Sequence, residues 1–169
     1  MITLFIEADA QASDRLTRTL AAVIPAVVEG VVLDAVILNK DGSAEIEKVA
    51  DAAGAVSVAG GDVAAGVEKA RGDWLMCLEP GARPQGEWYD VVLSAIADAD
   101  KVTTGPARFR SDGSMTGGLM SLFRRPRALR YGLIIHRRQA VAAKAKSLEA
   151  LARGRATRRL SARLMPADP

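Results

Sequence analysis

Two short turns in this sequence hold the side chains best suited to bind a phosphorylated ligand or a metal ion. Lys40, Asp41 and Ser43 belong to the first turn, within the run NKDGS, and Glu79 begins the second, EPG. A carboxylate at such a turn binds a divalent cation or accepts hydrogen bonds from a ligand, and a lysine binds phosphate oxygens directly. Asp, Gly and Ser are also ordinary turn and helix-cap residues. The chemistry of these side chains therefore depends on the elements that position them.

Each of the two turns follows an apolar run that predicts a buried strand. The runs are LDAVIL at residues 33–38 and WLMCL at 74–78, and the chain opens with a third, ITLFI at 2–6. Continuous apolar runs of this kind are typical of strands that are covered on both faces. A fourth, shorter strand is predicted at 55–58. Apolar residues at helical spacing between the runs predict four helices, at residues 14–27, 44–53, 63–70 and 87–97.

The alternation of strand and helix predicts a single doubly wound α/β sheet with mostly parallel strands. In such a sheet, ligands bind beyond the carboxyl ends of the strands, which places Glu7 and both turns along one edge. Ser43 is expected to cap the helix after the first turn, and Gly54 to end it. Pro25 is expected to kink or end the first helix. Beyond residue 101 the pattern weakens, and short strands are predicted at residues 102–104, 107–110 and 133–135.

Charge is distributed unevenly along the chain. Residues 108–163 hold 15 Lys or Arg against two acids, whereas residues 1–107 hold 8 basic residues against 17 acids. A region this basic is expected to face an anionic partner, which is a membrane surface, a nucleic acid, a phosphorylated ligand or the acidic part of the chain itself. We therefore divide the chain into an α/β domain at 1–107 and a basic region at 108–169 that completes the fold.

The basic region is predicted to end in an amphipathic helix from about Gln139 to Leu164. Its apolar stripe contains Val141, Leu148, Leu160 and Leu164, and its arginines lie mostly off that stripe. Such a helix binds an anionic membrane surface through charge and a shallow apolar face. Packing against the acidic domain is the alternative. Nucleic acid is disfavoured, because residues 108–169 contain only three aromatic side chains for base stacking.

Composition argues against a membrane-spanning protein, a signal peptide and a zinc site. No apolar run approaches the about 20 residues of a transmembrane helix, and the opening run lacks a basic leader. A cytoplasmic location is expected, with peripheral attachment to the inner membrane surface as the alternative. Cys77 and His136 are the single residues of their types, and no Cys/His cluster suggests zinc. Structural roles are expected for both.

Two stretches of the chain resemble family-2 glycosyltransferases. Residues 36–54, VILNKDGSAEIEKVADAAG, are similar to the family's strand, Asp-Asp-Gly-Ser-like turn and helix. Residues 70–88, ARGDWLMCLEPGARPQGEW, are similar to its Ala-x-Gly-Asp helix end, its strand and its Asp-x-Asp motif. The order and spacing of the stretches also fit, and with the start of the chain the resemblance covers about residues 1–100. It implies a GT-A, Rossmann-like fold that binds a nucleotide-diphosphate sugar together with Mg²⁺ or Mn²⁺.

The sequence departs from the family's pattern at three positions of that edge. Glu7 stands where the family usually has proline, and Lys40 replaces the first acid of the Asp-Asp-Gly-Ser-like turn. Gly81 replaces the second acid of Asp-x-Asp, which leaves Glu79 as the one candidate metal ligand. A single protein carboxylate holds a divalent ion poorly, so weak or absent metal dependence is predicted. No Glu-Asp pair for an acceptor-activating base is evident, and no catalytic residue is assigned.

The resemblance implies a glycosyltransferase-like protein in a degenerate or truncated form. Its nucleotide-binding residues would be Lys40, Asp41, Ser43 and Glu79, and it would transfer the sugar to an acceptor near a membrane. The alternative is a catalytically inactive glycosyltransferase fold that serves as a binding or scaffolding module, with its basic region on an anionic membrane or a partner protein. The expected architecture is a GT-A-like, mostly parallel sheet with a basic C-terminal helical extension.

Overall fold

Eight strands form one sheet in the computed structural model, which describes residues 1–101, 105–111 and 128–167. In chain order the strands are β1 (Ile2–Ala8), β2 (Val32–Asn39), β3 (Val56–Ala59), β4 (Trp74–Leu78), β5 (Arg83–Gln85), β6 (Ala107–Ser111), β7 (Leu133–His136) and β8 (Arg158–Met165). The described residues also form the helices α1 (Ser13–Val28), α2 (Ala44–Ala52), α3 (Val63–Lys69), α4 (Trp88–Lys101), α5 (Arg137–Ala143) and α6 (Leu148–Ala152), with a short 3-10 turn (Ala10–Ala12) before α1.

The strands and helices predicted for the first hundred residues are confirmed to within a few residues. Pro25 does not end α1, which continues to Val28. The strand β5 was not predicted, because three residues around a proline carry no pattern of alternation. The strand predicted at 102–104 lies outside the described residues.

The order of strands across the sheet is β3-β2-β1-β4-β7-β6-β8-β5. The strands β1 to β4 form three parallel pairs, as the doubly wound prediction requires. β7 is antiparallel to both β4 and β6, while β8 is parallel to β6 and antiparallel to β5. Since β5 follows β4 closely in the chain and also pairs with β8, the sheet curls and brings the end of β8 back to the carboxyl end of β4.

Both faces of the sheet are buried, as the continuous apolar runs predict. Along β4, Trp74, Met76 and Leu78 belong to the core beneath α1, α2 and α4. Leu75 and Cys77 belong to the core on the opposite face, beneath α3, α5 and α6. Burial raises the pKa of Cys77 to about 12. Its thiol therefore stays protonated at neutral pH and packs as a small apolar group.

The Ala-x-Gly-Asp stretch passes directly against the backbone of β1. A Cβ on Gly72 would lie 2.7 Å from both the carbonyl carbon of Ile2 and the nitrogen of Thr3. The N–H of Gly72 donates to the Thr3 hydroxyl at 2.8 Å, and that hydroxyl donates to Asp34 at 2.5 Å. The close approach of two backbones, rather than an unusual dihedral angle, requires glycine here. This motif of the resemblance therefore has a packing role.

The predicted helix from Gln139 to Leu164 is wrong, because two short helices and the strand β8 occupy that segment. Lys144 has a left-handed backbone at the end of α5, with φ of 46°, and Gly154 has φ of 70° after α6. Left-handed residues end helices. Burial then alternates along β8 with the period of two that marks a strand. From Arg159 onward the exposed residues are Arg159, Ser161 and Arg163, and the buried ones between and after them are Leu160, Ala162 and Leu164.

Most of the apolar residues predicted to contact a membrane are therefore buried inside the protein. Leu148, Leu160 and Leu164 belong to the core, whereas Val141 is 61% exposed. None of the helices in the described ranges is long and apolar enough to cross a membrane. The basic region instead packs on the acidic part of the chain, through the pairing of β7 with β4 and the contact of α5 with α3. The domain division at residue 107 stays a prediction.

Candidate functional site

The carboxyl ends of β2, β1 and β4 lie side by side at one edge of the sheet. Ala8 at the end of β1 pairs with Asn39 of β2, and Ile6 pairs with Leu78 of β4. Because neighbouring strands are about 4.8 Å apart, the turns after β2 and β4 flank the end of β1 at a separation of about 10 Å. The structure thus brings the predicted residues to one edge, with Lys40, Asp41 and Ser43 after β2 and Glu79 after β4.

The turn after β2 is held by the buried side chain of Asn39. Its amide nitrogen donates to the carbonyl of Ser43 at 3.0 Å, and its amide oxygen accepts the N–H of Ser43 at 3.0 Å. The hydroxyl of Ser43 accepts the N–H of Glu45 at 3.2 Å, which confirms the predicted cap of α2. Sequence reasoning placed Asn39 in the turn but gave it no role, since only the fold shows that its side chain is buried.

Asp41 links the segments that follow β1 and β2. One oxygen of its carboxylate accepts the N–H of Ala10 at 3.0 Å. Asp41 is exposed, and its other oxygen accepts no hydrogen bond from the described residues. The carboxylate therefore holds the turn after β1 with one oxygen, and its second oxygen, Oδ1, can accept a hydrogen bond from a ligand.

Lys40 is paired with Glu7 at the end of β1. The ammonium of Lys40 lies 3.5 Å from one carboxylate oxygen of Glu7, and the other oxygen accepts the N–H of Leu148 at 3.0 Å. Glu7 is 15% exposed and Lys40 is 52% exposed. Glu7, which stands where the resemblance expects proline, thus joins β1 to the start of α6. Its sequence position gave no sign of a partner 141 residues away.

The glycine pair before α3 packs against the stem of Lys40. Gly60 and Gly61 have φ of 76° and 68°, and a Cβ on Gly61 would lie 3.3 Å from the Cγ of Lys40. The amino end of α3 is closed by Asp62, whose carboxylate accepts the N–H of Ala64 at 2.9 Å. This loop positions Lys40 rather than presenting free N–H groups from a long helix.

The turn after β4 is shaped by Gly81. Its φ is 97°, and a Cβ there would lie 3.3 Å from the Cβ of Ala167 and 3.5 Å from that of Arg15. The N–H of Gly81 donates to the buried hydroxyl of Thr19 at 2.8 Å. The carbonyl of Glu79 accepts the N–H of Ala82 at 3.0 Å, which closes the turn. A residue with a side chain is therefore strained and crowded at this position.

Solved structures similar in fold to this chain include glycosyltransferases. Mannosyl-3-phosphoglycerate synthase from Rubrobacter xylanophilus is 12% identical with a TM-score of 0.58, over 81% of this chain and 53% of that one. Glucosyl-3-phosphoglycerate synthase from Mycobacterium tuberculosis, in complex with phosphoglyceric acid, is 14% identical with a TM-score of 0.61, over 82% of this chain and 57% of that one. The fold is GT-A-like.

The likeness concerns the fold alone, and the chain spans little more than half the length of these enzymes. Structures of the Mycobacterium tuberculosis enzyme contain Mn²⁺ with UDP-glucose, at 13% identity, or Mg²⁺ with UDP. No protein-family model matches this sequence, and no curated protein matches it significantly. Whether similar ligands fit this chain is decided by its own residues.

The residues at the GT-A-like edge do not fit a divalent metal. At the Asp-x-Asp position Gly81 offers no carboxylate, and its φ of 97° and the contact with Ala167 oppose one. No group of three His, Cys, Asp or Glu side chains suited to a metal ion occurs in the described part of the chain. Glu79 is the one carboxylate of the motif, which is fewer than a divalent ion needs for tight binding.

His136 has a structural position, as the sequence suggests. Its ring nitrogen Nδ1 accepts the N–H of Arg138 at 3.2 Å and caps α5. The ring packs edge-on against Trp74, with centroids 5.2 Å apart.

Glu149 organises the basic region in a way that its sequence position did not reveal. Its carboxylate accepts the N–H groups of Ala128 at 2.8 Å and Leu129 at 3.0 Å, and the guanidinium of Arg153 lies at 3.3 Å. Burial opposes ionisation of this carboxyl, but the two backbone hydrogen bonds and Arg153 outweigh it and lower its pKa. Glu149 therefore fixes the turn before β7 to α6.

Replacing Glu149 with glutamine is expected to lower the free energy of unfolding at pH 7 by about 1–2 kcal/mol, because charge-assisted hydrogen bonds become neutral ones at a partly exposed site. The pKa of Glu149 is lower folded than unfolded, so its contribution is complete above the ordinary value of 4.5 and is lost as the pH falls through the folded-state pKa. Urea denaturation at several pH values measures both effects. Glu47→Gln, on the exposed surface of α2, is the control. A constant difference between Glu149→Gln and wild type down to low pH would contradict this role.

Proposed function

We propose that this chain binds a nucleotide-diphosphate sugar at the edge formed by β2, β1 and β4. The observation that supports this most is the carboxylate of Asp41, which joins the segments after β1 and β2 at that edge and keeps an acceptor oxygen. In open α/β sheets, ligands bind beyond the carboxyl ends of the strands. The GT-A-like fold is shared with an enzyme whose structures contain UDP-glucose or UDP.

Each predicted residue has a role in this proposal. Asp41 accepts hydrogen bonds from the base or ribose, and the hydroxyl of Ser43, which accepts the N–H of Glu45, donates its proton to the ligand. Lys40 donates to the diphosphate after leaving Glu7. Lys40 is half-exposed and can turn toward a ligand, and Glu7 then keeps its hydrogen bond from the N–H of Leu148. Glu79, on the other side of β1, lies where the diphosphate joins the sugar.

A second candidate function is the binding of a nucleotide sugar without transfer, and the geometry at Gly81 favours it. Family-2 glycosyltransferases use a metal to stabilise the departing diphosphate, and the residues here do not fit one. Incubation with a radiolabelled nucleotide sugar separates the two functions. Release of nucleoside diphosphate with labelled product or free sugar indicates an enzyme, and recovery of the intact bound ligand indicates a binding module.

Substitution of Asp41 by alanine is expected to weaken the binding of uridine or guanosine diphosphate about tenfold or more, since a hydrogen bond to a charged group contributes about 1.5–3 kcal/mol. Calorimetric titration of the whole chain measures the change. Asp51→Ala is a matched control, because Asp51 is an exposed acid on α2. Circular dichroism checks that loss of the bond to Ala10 leaves the fold intact.

A panel of nucleotide diphosphates and their sugars, followed by thermal shift, identifies the ligand first. A ligand at one hundred times its dissociation constant stabilises the folded state by about 2.7 kcal/mol, which is readily detected. Failure of every nucleotide to bind would remove the proposed function. Unchanged affinity in Asp41→Ala would remove Asp41 from the site.

A further inference from the structure

Arginines from three strands occupy one face of the curled end of the sheet. In the pairing of β6 with β8, Arg110 lies opposite Arg163, and in the pairing of β8 with β5, Arg163 lies opposite Gln85. Arg83 is two residues before Gln85 on β5, so it projects to the same face. The opposite face is buried, with Phe109 and Leu164 in the core beneath α1, α2 and α4. We call Arg83, Arg110 and Arg163 the arginine cluster.

The arginine cluster adjoins the turn in which the metal motif is altered. β5 begins at Arg83, two residues after Gly81, and Arg83 pairs with Met165 at the end of β8. The chain beyond β8 then reaches Gly81, where Ala167 makes the contact described above. Since β6 and β8 are parallel, Arg110 and Arg163 both lie toward the carboxyl ends of their strands. The cluster therefore lies at the β4 end of the edge proposed to bind the nucleotide.

Two members of the cluster keep hydrogen-bonding capacity for a ligand. The guanidinium of Arg83 donates from Nη2 to the thioether of Met165 at 2.9 Å, which is a weak acceptor for a cation. Its buried Nε has no hydrogen-bond partner within the described ranges. Arg110 is exposed and makes no ion pair with any described residue. A planar guanidinium matches the oxygens of a phosphate in pairs.

The sheet register places arginines opposite each other. Arg110 faces Arg163 directly across two strands, and Arg108 faces Arg159 in the same pairing. Like charges directly opposite each other destabilise a sheet. A ligand with several negative oxygens would remove that repulsion in the first pair, and a nucleotide diphosphate is such a ligand.

From this geometry we infer that the arginine cluster binds the phosphate oxygens of a diphosphate group and supplies the positive charge that a divalent metal supplies in family-2 glycosyltransferases. The inference rests on the proposed function for the nucleotide part of the ligand. Binding of the diphosphate group by the cluster can be tested without a nucleotide. The arginine cluster would let this edge bind an anionic ligand although Gly81 supplies no second metal ligand beside Glu79. Binding then requires no metal.

The test is calorimetric titration of the full chain in EDTA with inorganic pyrophosphate, and separately with uridine and guanosine diphosphates. Arg110→Gln and Arg163→Gln are each expected to weaken binding about tenfold, the loss of one charge-assisted contact. Arg159→Gln is the matched control, because Arg159 is an exposed arginine of β8 outside the cluster.

Binding to wild type should also weaken as salt rises from about 50 to 300 mM, because the Debye length shrinks. Thermal unfolding separates this role from a structural one, since Arg110→Gln relieves repulsion and should not lower the midpoint.

Two results would overturn the inference. One is pyrophosphate binding that is equally tight in wild type, Arg110→Gln and Arg163→Gln. The other is binding of pyrophosphate or nucleotide that appears only when Mn²⁺ or Mg²⁺ replaces EDTA. The proposed function fails in a different way, with arginine-dependent binding of pyrophosphate but no binding of either nucleotide.

Discussion

Replacing Gly72 with alanine is expected to destabilise the folded chain by about 3 kcal/mol, the upper part of the usual range for overpacking. The added Cβ would meet the carbonyl carbon of Ile2 and the nitrogen of Thr3 at 2.7 Å, and the carbonyl oxygen of Met1 at 2.9 Å. These are backbone atoms at the start of β1, the strand that lies between β2 and β4. They cannot move apart without disturbing hydrogen bonds on both sides of β1. The midpoint of urea unfolding measures the loss.

Gly54→Ala is the control for this substitution. Gly54 has φ of 65° after α2, and a Cβ there would have no atom within 4 Å. The expected cost is the left-handed backbone alone, about 1–2 kcal/mol. Equal destabilisation by the two substitutions would show that the contact with β1 is not what requires glycine at position 72.

The start of the chain could be predicted because local signals agree there with the fold. The apolar runs of β1 and β4, the cap at Ser43 and the left-handed Gly54 each require only neighbours in sequence. The sequence also identified Gly72 as part of a motif. It could not give the physical reason, because the atoms that exclude a side chain belong to β1, some seventy positions earlier.

Replacing Leu164 with alanine is expected to lower the free energy of unfolding by about 2–5 kcal/mol, as usual for removing a fully buried leucine side chain. Leu164 is fully buried between β6 and β5, in the core beneath α1, α2 and α4. Chemical denaturation monitored by tryptophan fluorescence is a suitable measurement, since Trp74 and Trp88 lie in the same core.

Val141→Ala is the matched control, because the predicted C-terminal helix puts Val141 and Leu164 on one apolar stripe. In the structure Val141 is 61% exposed on α5. Its truncation is expected to change stability by about 0.5 kcal/mol or less. Similar small effects of both substitutions, together with binding of the chain to anionic vesicles, would restore the membrane helix.

The basic region could not be predicted in the same way, because its spacing fits two periods. Leu160 and Leu164 are four residues apart, a spacing that puts them on one face of a helix. The same spacing is an even number of residues, so it also puts them on one face of a strand. Ala162 decides for the strand, but alanine is common on either face of a helix. The segment forms a strand because β6 and β5 each offer it an unpaired edge, and both of these strands are distant in sequence.

The candidate site shows the same limit. The edge that holds Lys40, Asp41 and Glu79 follows from the order of strands and was predicted. The pairing of Lys40 with Glu7, and the contact of Gly81 with Ala167, depend on α6 and on the segment after β8. The resemblance predicted an altered metal motif, but not that the backbone at Gly81 opposes a second carboxylate there.

The position of β8 between β6 and β5 also bears on how the chain is made. Among the described strands, β5 has no other partner and β6 has one open side until β8 arrives. β8 follows both strands in the sequence, so both edges stay open on the ribosome until β8 has been made. Unpaired edges attract other chains, and distant pairings form slowly. The newly made polypeptide therefore exposes the edges of β5 and β6 to other chains until β8 has emerged.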